Sequence, residues 1–131
     1  MAPPQDQTQY LHIATVLPVR RWRDVPAFLR MATRVNEQLS QTAGNVKYGV
    51  KARFLRKHFY TYTIWTNRAA VNAFVRTEPH AEAVRRMAVW AGTGAAFVEW
   101  EAQAQTLNWP EALERLKKPT FSYQPPQSSK P

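Results

Sequence analysis

The stretch Phe59–Glu101, FYTYTIWTNRAAVNAFVRTEPHAEAVRRMAVWAGTGAAFVEWE, decides the fold. From Phe59 to Trp65 the residues alternate, with Tyr60, Tyr62 and Ile64 opposite Phe59, Thr61, Thr63 and Trp65, which is the period of a strand. Thr66 or Asn67 then caps a helix over Arg68–Arg76, with Ala70, Val71, Phe74 and Val75 inward. Thr77-Glu78-Pro79-His80 restarts a helix. Thr77 is its cap, and Pro79 sits in the first turn, where a missing N–H costs nothing. Val84, Met87, Ala88 and Ala91 form the expected apolar stripe, and Gly92 and Gly94 stop the helix. A strand closes the stretch over Ala95–Gln105, with Val98, Trp100 and Ala102 on one side and Phe97, Glu99 and Glu101 on the other.

Toward the N-terminus, Tyr10–Leu17 (YLHIATVL) is a β-branched, apolar strand ended by Pro18. Its faces, Leu11/Ile13/Thr15/Leu17 and Tyr10/His12/Ala14/Val16, are both largely apolar, as in a central strand buried on two sides. After a basic loop, Asp24 can cap a helix running to about Gln41, with Phe28, Met31, Ala32, Val35 and Leu39 at i, i+3, i+4, i+7 spacing. Gly44 suits its exit. Asn45–Arg56 alternates again, with Val46, Tyr48, Val50, Ala52 and Phe54 on one face and Lys47, Lys51 and Arg53 on the other. Beyond the central stretch, Pro110–Lys117 is a short amphipathic helix opened by Asn108 or Trp109. The tail PTFSYQPPQSSKP is a loose segment or an arm whose Phe121 and Tyr123 pack on a partner subunit.

The order β-α-β-β-α(α)-β predicts an α+β, ferredoxin-like antiparallel sheet with helices on one face. Residues 10–118 are expected to form one such domain, between a flexible N-terminus (1–9) and a Pro-rich tail (119–131). Helices on one face cannot cover both faces of the first strand. The simplest second cover is another copy of the sheet, which predicts a homodimer.

Composition narrows the function. The chain has 131 residues, 44% of them hydrophobic and 12% aromatic, which argues for a folded domain. Cysteine is absent, which excludes disulfides and thiolate chemistry. The histidines are His12, His58 and His80, without the local spacing of a zinc site. There is neither a signal-peptide pattern nor an apolar run long enough for a membrane span, so the expectation is a cytoplasmic protein without a membrane. The net charge is +9, and ten of the basic residues fall between Arg20 and Lys57 against Asp24 and Glu37 alone. Such a half attracts anionic ligands, nucleic acid or acidic partners, or is simply a solvated surface.

The string TYTIW (ending at Trp65), a polar cap, AVNAFVR and PHAEAVRRM resembles the dimeric α+β barrel superfamily, specifically the antibiotic-biosynthesis-monooxygenase-like proteins. A fainter likeness, through Pro-His-x-x-x-Val-Arg, reaches the heme-containing carotenoid monooxygenases. The resemblance implies a homodimeric barrel with a cavity between sheet and helices for a flat apolar ligand, whether aromatic, polyene or heme-like. It also implies a monooxygenase-like oxidoreductase, either needing no cofactor or using heme held by His80. In heme-degrading relatives a Trp on the third strand and a His on the following helix flank the heme, the roles that Trp65 and His80 match in kind.

Read as residues, His80 at a helix start is a neutral base or ligand, or else a capping histidine. Glu99 is a cavity carboxylate able to take a proton, or the partner of Arg53 or Lys51 in an ion pair at the dimer contact. Trp65 is a wall for a flat ligand or a core aromatic. His12 points into the barrel or is a satisfied buried histidine. Thr61, Thr63, Tyr60 and Tyr62 offer neutral hydrogen-bonding groups to the same cavity. Two other classes compete. One is a non-catalytic ligand-binding or interaction domain on the same barrel. The other is an RNA-binding module of the same element order, against which Lys57–Ile64 (KHFYTYTI) lacks the glycine of the RNA-binding signature and LHIATV its aromatic.

Overall fold

β1 (Tyr10–Pro18) is the central strand, paired antiparallel with β3 (His58–Trp65) on one side and β4 (Ala96–Ala102) on the other. β2 (Asn45–Arg53) flanks β3, and β5 (Phe121–Ser122) adds to β4, giving the sheet order β2-β3-β1-β4-β5. The helices are α1 (Val25–Ser40), α2 (Arg68–Arg76), α3 (His80–Trp90) and α4 (Trp109–Arg115), with 3-10 turns at Trp22–Asp24 and Phe54–Arg56. This computed structural model describes residues 8–122. The architecture is the expected α+β, ferredoxin-like sheet.

Three helices cover one face. Phe28 and Met31 of α1 meet Phe59 and Trp90, while Leu39 meets Leu11, Trp65, Val71 and Phe74. These form two apolar clusters at opposite ends of the face, joined through Val35. The cap of α2 is made as its sequence predicts, with Asn67 Oδ1 accepting from the Ala70 N–H at 2.9 Å. Asp24 stands at the N-cap of α1 but its side chain makes no capping bond. Thr77 closes α2 rather than opening α3, its hydroxyl donating to the Ala73 carbonyl. α3 starts at His80 and turns Ala83, Met87 and Trp90 inward, leaving Val84 and Ala88 exposed.

The other face departs from expectation. It is covered within the chain by α4 and the segment before it: Ala112, Leu107, Trp109 and Leu116 pack on Ala14, Tyr62, Ile64, Val98 and Trp100. Gly49 leaves room for this, since a Cβ there would stand 2.6 Å from Leu107 Cδ1. Asn108 opens α4 by accepting from the Glu111 N–H. Helices thus lie on both faces, and α4 removes the argument that a second copy must cover this one. Phe121 likewise lies beside Phe97 of its own sheet as part of β5, whereas Tyr123 falls outside the described residues.

β2 differs in register. A bulge between Asn45 and Lys47 turns Val46 toward the α4 side, away from Tyr48, Val50 and Ala52, and the strand ends at Arg53 in a 3-10 turn. Gly44, at φ +90°, makes the exit from α1, where a Cβ would come within 2.5 Å of the Ala70 methyl.

Ala112 has no exposed surface, so Ala112→Leu overpacks the junction of α4 with the sheet. Urea unfolding should show a loss of about 1–3 kcal/mol. An unchanged midpoint would mean that α4 is not docked in solution.

Candidate functional site

The pleat sorts the candidate residues. Trp65, Thr63 and Glu99 face α1–α3, whereas His12 and Tyr62 face α4. The sheet itself separates the two groups.

On the α4 side His12 is fully buried, with Nε2 2.9 Å from the Ala104 carbonyl and Nδ1 2.8 Å from the Tyr62 hydroxyl. A carbonyl only accepts, so Nε2 carries the proton and Tyr62 donates to Nδ1. His12 also stacks on Trp100 at 5.3 Å, and the Arg115 guanidinium lies 4.9 Å over that indole. Burial lowers the His12 pKa from 6.5, against the raising effect of the Ala104 carbonyl, and burial raises that of Tyr62. Both side chains are enclosed and paired.

On the helix side, two rows cross the sheet. One is Tyr48, Thr63, Ile13 and Glu99; the other is Val50, Thr61, Thr15 and Phe97. At the ends of the same strands Leu11, Trp65 and Phe59 are buried, yet Ile13, Thr15, Thr61 and Thr63 between them are only half-buried. Solvent reaches the middle of a face that α1–α3 otherwise cover. Trp65 Nε1 donates to Thr63 Oγ1 at 2.8 Å, which leaves the threonine proton available to another acceptor. Glu99 is held by both guanidinium nitrogens of Arg68: Nη1 donates to Oε2 at 2.8 Å and Nη2 to Oε1. That pair keeps the Glu99 carboxyl below its usual range, and the partner is Arg68 of its own chain rather than Arg53 or Lys51.

His80 sits where α2 meets α3. Its backbone N–H donates to Gln38 Oε1 at 3.0 Å, and Gln38 Nε2 donates to the Phe74 and Thr77 carbonyls, so the elbow is pinned to α1. Nδ1 lies 3.3 Å from the Val75 carbonyl and must donate, leaving the Nε2 lone pair. Burial lowers its pKa below 6.5, opposed by that carbonyl. Phe74 stands between the two residues matched to heme flanking, 5.3 Å from Trp65 and 4.7 Å from His80. Trp65 is fully buried against that phenyl ring, so its indole offers no open face to a flat macrocycle. Among the described residues no three His, Asp or Glu side chains gather as a metal site.

Thr15, Arg68 and Phe74 are the site residues that sequence reasoning did not single out. Thr15 had a signal, as the one hydroxyl on the face Leu11/Ile13/Thr15/Leu17. Arg68 had none, since its meeting with Glu99 depends on how α2 lies on the sheet.

His12 and His80 are both disfavoured as cations in the fold, so the unfolded chain takes up protons first. Stability should be full above the ordinary histidine value of 6.5 and fall as pH drops below it. Urea midpoints at about pH 8 and about pH 5 measure this. Tyr62→Phe strands the buried Nδ1 and should cost about 1–3 kcal/mol.

No protein-family model matches the chain, and no curated protein matches it in sequence. Solved structures do match in shape. A crystal structure of an antibiotic biosynthesis monooxygenase superposes with a TM-score of 0.64 at 17% identity, covering 70% of this chain and 97% of that one. SnoaB, a cofactor-independent oxygenase from Streptomyces nogalater, gives 0.59 at 12% identity, covering 75% and 96%. A protein of unknown function from Nitrosomonas europaea gives 0.63 at 12% identity, covering 77% and 96%. At these identities the likeness concerns backbone architecture, and the fold of this chain is that of the antibiotic-biosynthesis-monooxygenase-like α+β proteins.

Proposed function

We propose that the chain is a monooxygenase-like protein that binds a flat, mainly apolar ligand between sheet and helices, over Thr15, Thr61 and Thr63, and oxidises it without a cofactor. The observation that carries this reading is the solvent access of those threonines at the centre of a helix-covered face. Hydroxyls on an apolar floor suit a planar ring system bearing oxygen substituents, because each can donate or accept. The fold shared with a cofactor-independent oxygenase supports the same direction.

The reaction asks the protein for position and one base. A ring carbon made acidic by neighbouring carbonyl or phenol groups loses a proton, and the resulting anion reduces dioxygen. One oxygen atom enters as a carbonyl and the other leaves as water with the two hydrogens of that carbon. Glu99 is a weak base for this step because Arg68 stabilises its ionised form. His80, neutral and with a free Nε2 lone pair, is the better base. Heme is not part of this reading.

A hydroxyanthrone serves as probe. Tryptophan quenching should report saturable binding, and an oxygen electrode consumption of dioxygen. Thr61→Leu together with Thr15→Leu fills the floor and should abolish binding while the protein stays folded. His80→Ala should retain binding and lower turnover by about 100-fold or more. Binding without oxygen uptake would leave a ligand-binding module, and binding unchanged by the threonine substitutions would remove this site.

A further inference from the structure

The two 3-10 turns lie together at one end of the sheet. The Val19 N–H donates to the Lys57 carbonyl at 2.8 Å, and Lys57 Nζ lies 5.0 Å over the Trp22 ring. This end carries the most exposed apolar residues of the described chain outside α3 and the β2 edge. Leu55 is 93% exposed, Phe54 54% and Trp22 53%. They alternate with cations: Arg21 and Arg23 on one turn, Arg53, Arg56 and Lys57 on the other. None of these five is in an ion pair among the described residues, and Asp24 is the sole acid on either turn. His58 beside them feels the excess: after burial, Arg56, Arg53 and Lys57 all push its pKa down. Lys57 takes a left-handed backbone, φ 58°, which turns the chain tightly and leaves Leu55 at the tip.

We propose that this tip docks the protein on an anionic phospholipid surface, with Leu55, Phe54 and Trp22 entering the headgroup layer and the surrounding arginines and Lys57 contacting lipid phosphates. Two features favour a bilayer over nucleic acid. The most exposed side chain, Leu55, is aliphatic, with neither a ring to stack on bases nor a hydrogen bond to read them. A tryptophan, a phenylalanine and a leucine on a protruding tip ringed by cations match the interfacial region, where aromatic bodies sit at headgroup level and basic groups meet anionic lipid. No described helix is long and apolar enough to cross a membrane, so the contact is peripheral.

Cosedimentation of the full chain with vesicles of equal parts phosphatidylcholine and phosphatidylserine tests this, with pure phosphatidylcholine vesicles as control. The expected result is binding to the mixed vesicles, weakened by salt, and little to the neutral ones. Leu55→Ser, at a solvent-exposed position where folding is not at stake, should lower binding about tenfold. Arg56→Gln should lower it about fivefold. Absence of binding to mixed vesicles overturns the proposal, as does wild-type binding by Leu55→Ser, which would reduce the contact to charge alone. Capture of a single-stranded oligonucleotide in preference to the vesicles assigns the tip to nucleic acid instead. A dimeric mass without lipid that Leu55→Ser makes monomeric assigns it to a second copy.

Discussion

β1 is hydrogen-bonded on both edges and apolar on both faces, and the structure is arranged around meeting those demands at once. Leu11 and Val19, near its two ends, need the layer of α1, α2 and α3. Ala14 and His12 need a cover on the opposite side, and α4 supplies it. The polar ring of His12 is tolerable there because both nitrogens are paired, one with Tyr62 across the strand pair and one with the backbone at Ala104. A histidine on the central strand thus fixes where the chain must run after β4, since the Ala104 carbonyl has to arrive over the ring.

The two sides differ in completeness. Under α4 the packing is tight: Ala14, Tyr62, Ile64 and Ala112 have no exposed surface. Under α1–α3 the apolar residues form two clusters with threonines between them. Threonine is close to valine in shape, so strand geometry is kept, but its hydroxyl gains nothing from an apolar neighbour. A face built for stability alone would place valine at Thr15 and Thr61, whereas the Thr63 hydroxyl satisfies the buried Trp65 N–H. These hydroxyls lie where solvent reaches the face, on the side that also carries Arg68, Glu99 and His80.

Much of the fold was legible because it depends on local periodicity. The alternation of β3 and β4, the stripe of α1 and the cap at Asn67 all follow from residues within one element. The errors arose where a distant contact outweighs a local signal. Thr77 looks like a helix start but spends its hydroxyl on the preceding turn, and packing on α1 and the sheet buries Ala83 and Trp90 of α3 in place of Val84 and Ala88. Val46 continues an apolar alternation that a bulge interrupts. The amphipathic pattern of α4 was visible, whereas the face it covers depends on a loop whose path no local rule specifies. For the site, residue types could be nominated, but the sheet divides them: His12 and Tyr62 share one face, Trp65, Thr63 and Glu99 the other. Phe74, between Trp65 and His80, was read only as a core residue.

The bulge in β2 has a consequence for the protein among its own copies. β2 is the outer strand of the sheet, and a regular outer strand offers a row of free amides and carbonyls to any passing chain. The irregular register at Asn45/Lys47 breaks that row, and Lys47, Lys51 and Arg53 set like charges along it. On this side the sheet ends in a form that discourages strand-by-strand growth into aggregates, and crowding in a cell does not readily turn this edge into a template for fibres.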